Sequence, residues 1–87
     1  MFKILLHRRA EKNLYKLPKH ILRKFYELMN TLEANPVPWR EWDVRKLRGF
    51  EDTYRIRLNN YRVIYSVNWK RKEIIILKIE KRGKAYA

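Results

Sequence analysis

Tyr54-Arg55-Ile56-Arg57-Leu58-Asn59-Asn60-Tyr61-Arg62-Val63-Ile64-Tyr65 is the stretch that decides how this chain folds. Tyr54, Ile56 and Leu58 alternate with Arg55 and Arg57, and a period of two marks a strand with one covered and one open face. Asn59-Asn60 supplies turn chemistry, because asparagine tolerates the positive φ of a tight hairpin. Beyond it Tyr61, Val63, Tyr65, Val67 and Trp69 alternate with Arg62, Ile64, Ser66 and Asn68, which predicts the partner strand. The Tyr61-Tyr65-Trp69 stripe is expected in the core.

Working outward, Lys70-Arg71-Lys72 reads as a polar turn, and Glu73 to Glu80 as a last strand built on Ile74, Ile75, Ile76, Leu77 and Ile79. Upstream, residues 36–53 carry Trp39, Trp42, two prolines and Gly49, and read as a loop. Before that loop Ile21, Leu22, Phe25, Leu28, Met29 and Leu32 form one apolar stripe at helical spacing, halted at Asn35-Pro36. Ala10, Leu14 and Leu17 predict a shorter helix that Pro18 cannot continue, and Phe2 to His7 an opening strand. The short connection makes the two helices an antiparallel hairpin. The expected fold is α+β, in the order β-α-α-β-β-β: a twisted, mainly antiparallel sheet with the hairpin packed on one face. At 87 residues there is room for a single domain, 1–87.

Composition narrows the chemistry. The absence of cysteine excludes disulfides, thiolate metal ligands and a cysteine nucleophile. His7 and His20 have no metal-binding spacing and read as surface or capping residues, so no metal and no cofactor are expected. The opening apolar run is too short for a signal peptide and no segment is long enough to span a bilayer, which predicts a cytoplasmic protein without a membrane partner. A formal charge of +13 favours polyanions, nucleic acid first and an acidic protein second. Trp39, Trp42 and Trp69 either pack in the structure or stack on bases.

On a strand, Arg55 and Arg57 point away from the apolar face, and Arg62 joins them across the turn. Lys78 and Arg82 share one face of the last strand. Such a row is either a solvated strand face or a grip for phosphates, to which each guanidinium donates two parallel hydrogen bonds.

Lys46-Leu47-Arg48-Gly49, Tyr54-Arg55-Ile56-Arg57-Leu58 and Tyr61-Arg62-Val63-Ile64-Tyr65, with the opening strand, the helices broken at Leu17-Pro18 and the basic tail, together resemble the RelE/ParE toxin superfamily. Val37-Pro38, Tyr61 to Trp69 and Arg82-Gly83 to Tyr86 look most like archaeal RelE-type proteins. The resemblance covers nearly the whole chain. It implies the toxin of a type II toxin–antitoxin system, a ribosome-dependent endoribonuclease that cleaves mRNA and inhibits translation. By position it assigns Arg55, Arg57, Arg62, Arg82 and Tyr86 to catalysis; the basic residues Lys46, Arg48, Lys78, Lys81 and Lys84 are expected to bind RNA. The implied partners are an acidic, helical RelB-like antitoxin, and mRNA and ribosomal RNA on the ribosome.

Two departures from the family bear on these assignments. The first-strand pair is often lysine and here is arginine, and the spacing from Arg82 to Tyr86 is shorter than in some members. With Ala87 last, the C-terminal helix of certain relatives is not expected. Arginine stays protonated, so it cannot serve as general base; Tyr86 would need a lowered pKa or would stack a base, and Glu80 is a further candidate. Two other functions stay open: a ParE-like inhibitor of DNA gyrase, and a plain RNA-binding domain.

Overall fold

The computed structural model describes residues 1–82. Elements follow in the order β1 (Lys3–Leu6), α1 (Arg8–Leu14), α2 (Lys19–Ala34), β2 (Val44–Lys46), β3 (Thr53–Leu58), β4 (Tyr61–Asn68) and β5 (Glu73–Lys81). The strands form one five-stranded sheet in the order β1-β5-β4-β3-β2. Three neighbouring pairs are antiparallel, whereas β1 runs parallel to β5, so the α+β sheet is mixed and mainly antiparallel. The hairpin turns at Asn59, whose φ of 55° is the conformation its side chain tolerates.

Both helices contribute to one core. Ala10 of α1 and Ile21, Phe25, Leu28 and Leu32 of α2 pack with Ile56, Val63, Tyr65, Ile74, Ile76 and Ile79 from the sheet. The α2 positions are the periodic ones, so burial of its stripe explains where the helix lies. Pro18 caps α2, as its missing N–H allows. The Tyr65 hydroxyl donates to the carbonyl of Pro36 at 2.7 Å, pinning the chain where it leaves α2. Burial, with Tyr54 adding to it, pushes this phenol above the ordinary tyrosine range.

Two features escape a strict period of two. A register shift lies between Ile64 and Tyr65: Ile64 pairs with Lys78 while Tyr65 pairs with Ile76, leaving Leu77 as the extra residue. This bulge lets Ile74, Ile76 and Ile79 all face the core although their spacing changes from two to three. The second feature is the edge of β5. Pairing with β1 ends at Ile76, and beyond it the Ile79 N–H donates to Asn13 Oδ1 of α1 at 2.9 Å, so a helix side chain covers the strand where its neighbour stops.

Two expectations are corrected. Residues 36–53 contain a short strand, β2, which pairs with β3. Trp69 is not core: β4 ends at Asn68, and Trp69 stands 47% exposed on the following turn, its indole N–H donating to Asp52 at 3.2 Å. Tyr65 is fully buried and Tyr61 packs at the core's margin, so the stripe holds only as far as the strand does. Among the loop tryptophans, Trp42 packs against the core and Trp39 is exposed under the Arg40 guanidinium.

Candidate nucleic-acid interface

The face of the sheet opposite the helices is built by register. Arg45 on β2 stands opposite Arg55 on β3, and Arg57 stands opposite Arg62 on β4. Arg62 in turn faces Glu80 on β5, and Ile64 lies between Arg55 and Lys78. Two directly opposed arginine pairs therefore sit on neighbouring strands, an arrangement that destabilises a sheet unless something compensates.

Two carboxylates compensate in part. Asp43 lies 3.5 Å from Arg55 and 3.7 Å from Arg57. Glu80 accepts from Arg62 at 3.1 Å and lies 3.6 Å from Lys78. Five cations against two carboxylates leave an excess of positive charge on this patch. The Arg55 side chain is only 12% exposed, and its pKa is lowered by burial, then by Arg57, Arg45 and Arg62, with Asp43 opposing them. The Nε–H groups of Arg55, Arg57 and Arg62 are buried and have no hydrogen-bond partner among the described residues. An incoming anion would relieve the repulsion that burial sharpens, so the patch is chemically suited to phosphate.

Arg55, Arg57, Arg62 and Lys78 thus come together. Arg82 lies one residue past β5, where its backbone N–H donates to Asn60 O at 2.6 Å, at the same end of the sheet as Arg57 and Arg62. Lys81 pairs with Tyr61 and Lys46 with Tyr54, which gives both the parity of the helix-side face and separates them from the row. Arg48 is exposed on the loop after β2. Tyr86 and Lys84 lie outside the described residues. Among the described residues Glu80 has both oxygens engaged by cations, the arrangement of a counterion.

Sequence reasoning missed Asp43 and Arg45. Their signal was the alternation Asp43-Val44-Arg45-Lys46, too short to register as a strand amid prolines and tryptophans. His7, expected to cap or lie at the surface, does cap α1: its Nδ1 accepts from the Arg9 N–H at 3.0 Å. In the neutral ring this leaves the proton on Nε2.

Known proteins share both the sequence and the fold. The description "ParE toxin of type II toxin-antitoxin system" matches residues 4–86. RelE1 of Methanocaldococcus jannaschii is 42% identical over 85 residues, covering 98% of this chain and 94% of that protein. The RelE–RelB complex of Pyrococcus horikoshii contains a chain 48% identical, with a TM-score of 0.86 over 95% of this chain and 97% of that one. The isolated RelE toxin of E. coli, at 23% identity, shares the fold with a TM-score of 0.80 over 99% of this chain and 92% of its own. The chain belongs to the ParE toxin family of type II toxin–antitoxin systems.

Proposed function

We propose that this toxin is an endoribonuclease that cuts mRNA in the ribosomal decoding site, using no metal, and thereby stops translation in the cytoplasm. The observation that carries the reading is the meeting of Arg55, Arg57, Arg62 and Lys78 on one open sheet face. In the reaction the 2′-hydroxyl of the RNA attacks the adjacent phosphorus, its proton leaves to a base or to water, and the P–O5′ bond breaks. Negative charge builds on the phosphoryl oxygens, and Arg55, Arg57 and Arg62 stabilise it where it develops. Arg82 is assigned to the leaving 5′-oxygen, and Tyr86 to proton transfer or to stacking on a base. No described residue is well placed as general base. The rate therefore depends on the ribosome holding the message in line for attack, and such positioning supplies about 7–11 kcal/mol.

Lys46, Arg48, Lys81 and Lys84 contribute to docking on ribosomal RNA rather than to the reacting phosphate. The partner that silences the toxin is an acidic, helical antitoxin like RelB. Support comes from the toxin–antitoxin complex of the Pyrococcus relative and from the +13 charge, which an acidic segment complements.

Incubation with translating ribosomes and primer extension on the message tests the reaction. Cleavage within the decoding codon is expected, and loss of it in Arg62→Ala. The family description also names ParE, which favours one second reading, inhibition of DNA gyrase without catalysis. An intact message together with blocked supercoiling would replace the nuclease with that reading.

A further inference from the structure

Beside the arginine row the open face carries a mainly apolar hollow of about 460 Å³, lined by Leu47, Phe50, Ile64 and Leu77 together with Arg9 and Lys78. We infer that this hollow is a subsite for one unpaired nucleobase of the RNA, adjoining the phosphate grip. The inference rests on the nuclease reading and deepens it by saying where the substrate's base goes.

Three devices build the hollow. The β5 bulge places the apolar Leu77 and the cationic Lys78 side by side on its wall. Gly49 turns the preceding loop at a φ of 80°, a conformation glycine adopts without strain, and the loop then presents Phe50 at 64% exposure. A large aromatic ring held in water at the margin of a cationic patch is a platform on which any base can stack. Polar groups for the base's edge are also present. The buried Thr53 hydroxyl donates to Glu51 O at 2.9 Å, which leaves its oxygen free to accept, while His7, whose Nδ1 is taken by the Arg9 N–H, has Nε2 left for a partner.

Charge and continuity select a nucleotide as occupant. Among the described residues the lining contains cations and no carboxylate. Ile64, one of the lining residues, lies directly between Arg55 and Lys78, so the hollow and the phosphate grip share a wall one strand wide. A base seated on Phe50 keeps its own phosphate beside the guanidiniums. An apolar side chain from a protein partner would fill the hollow but leave Arg9 and Lys78 without an anion to pair with.

The test uses the purified toxin and a short oligoribonucleotide made uncleavable by a 2′-O-methyl group, with one abasic position walked along it. Affinities are read by fluorescence anisotropy for the wild type, Phe50→Ala and Phe50→Tyr. Loss of the base at a single position should weaken wild-type binding by about 5- to 160-fold, the range that one stacked base supports. Phe50→Ala should bind the intact and abasic ligands alike, while Phe50→Tyr should restore the difference. Equal affinity for all ligands in the wild type, or a positional difference that survives Phe50→Ala, overturns the inference. So does a Phe50→Ala toxin that loses antitoxin affinity with every oligonucleotide affinity unchanged, which would give the hollow to the protein partner. Cleavage of ribosome-bound message, run in parallel, separates the two levels. A message that is cut without any positional effect removes the base subsite alone, and a message left intact removes the nuclease reading and the subsite with it.

Discussion

Beneath the helices, Ile56, Val63, Tyr65 and Ile76 are withdrawn from water, while on the other side of the sheet Arg55, Arg57 and Arg62 crowd together, their Nε–H groups without a hydrogen-bond partner among the described residues. One side gains free energy from every apolar group it hides, at about 25 cal/mol per Å². The other holds like charges opposite one another, at a cost of about 0.2–1 kcal/mol per pair. Consecutive residues such as Arg62 and Val63 therefore serve opposite ends, and stability and activity should separate cleanly between the two faces.

The largest expected effect breaks the covered face. Phe25→Ala should cost about 3–5 kcal/mol, read as a shift in urea midpoint, because its ring is fully buried among α2 and sheet side chains. A change under 1 kcal/mol would mean that the helix does not depend on that packing. The converse experiment is Arg62→Ala. It should lower cleavage of ribosome-bound message by about 10²–10³-fold, as expected for one donor to a developing oxyanion. Its effect on unfolding should stay within about 1 kcal/mol, because losing the half-exposed pair with Glu80 is offset by relief from Arg57.

Tyr65 sharpens the comparison through pH. Its folded pKa lies above that of the unfolded chain, so its contribution is present in full below about pH 10 and declines as pH rises beyond it, by at most about 1.4 kcal/mol per unit. Tyr65→Phe should lose stability at neutral pH through the missing bond to Pro36, and show a shallower alkaline decline than the wild type. Equal slopes would count against a buried phenol.

Salt addresses the open face alone. If Arg55, Arg57, Arg62 and Lys78 each neutralise one phosphate, the logarithm of RNA affinity should fall against log salt with a slope near −3, about −0.7 per contact. Arg57→Ala should reduce its magnitude by about 0.7. The smallest effect belongs to Arg45→Thr, which removes one member of an opposed pair. It should raise stability by about 0.2–1 kcal/mol while weakening RNA binding. A loss of stability there would show that Arg45 is held favourably by contacts other than its charge.

The two faces also differ in how readily they could be read. Alternation from Tyr54 to Tyr65 placed the first three arginines on one side correctly, because a strand's parity is local. Parity also separates Lys46 and Lys81 from the row, although positive charge marks both as candidates for RNA binding. In β5 the run Ile74-Ile75-Ile76-Leu77 has no period, so its inward residues depended on a bulge set by pairing with β4. β2 was illegible because three residues become a strand only when a neighbour supplies their hydrogen bonds.

What the sequence determined by itself was the covered face of α2 and of the central hairpin, the net charge, and the side on which Arg55, Arg57 and Arg62 stand. All follow from the periodicity or composition of one contiguous segment. The tertiary structure alone decided that Asp43 and Glu80 lie among those arginines, that Lys78 joins them, and that Leu77 and Phe50 wall a hollow beside them. Those neighbours come from strands and loops far apart in the chain, and only register across the sheet, bulge included, fixes which of them meet.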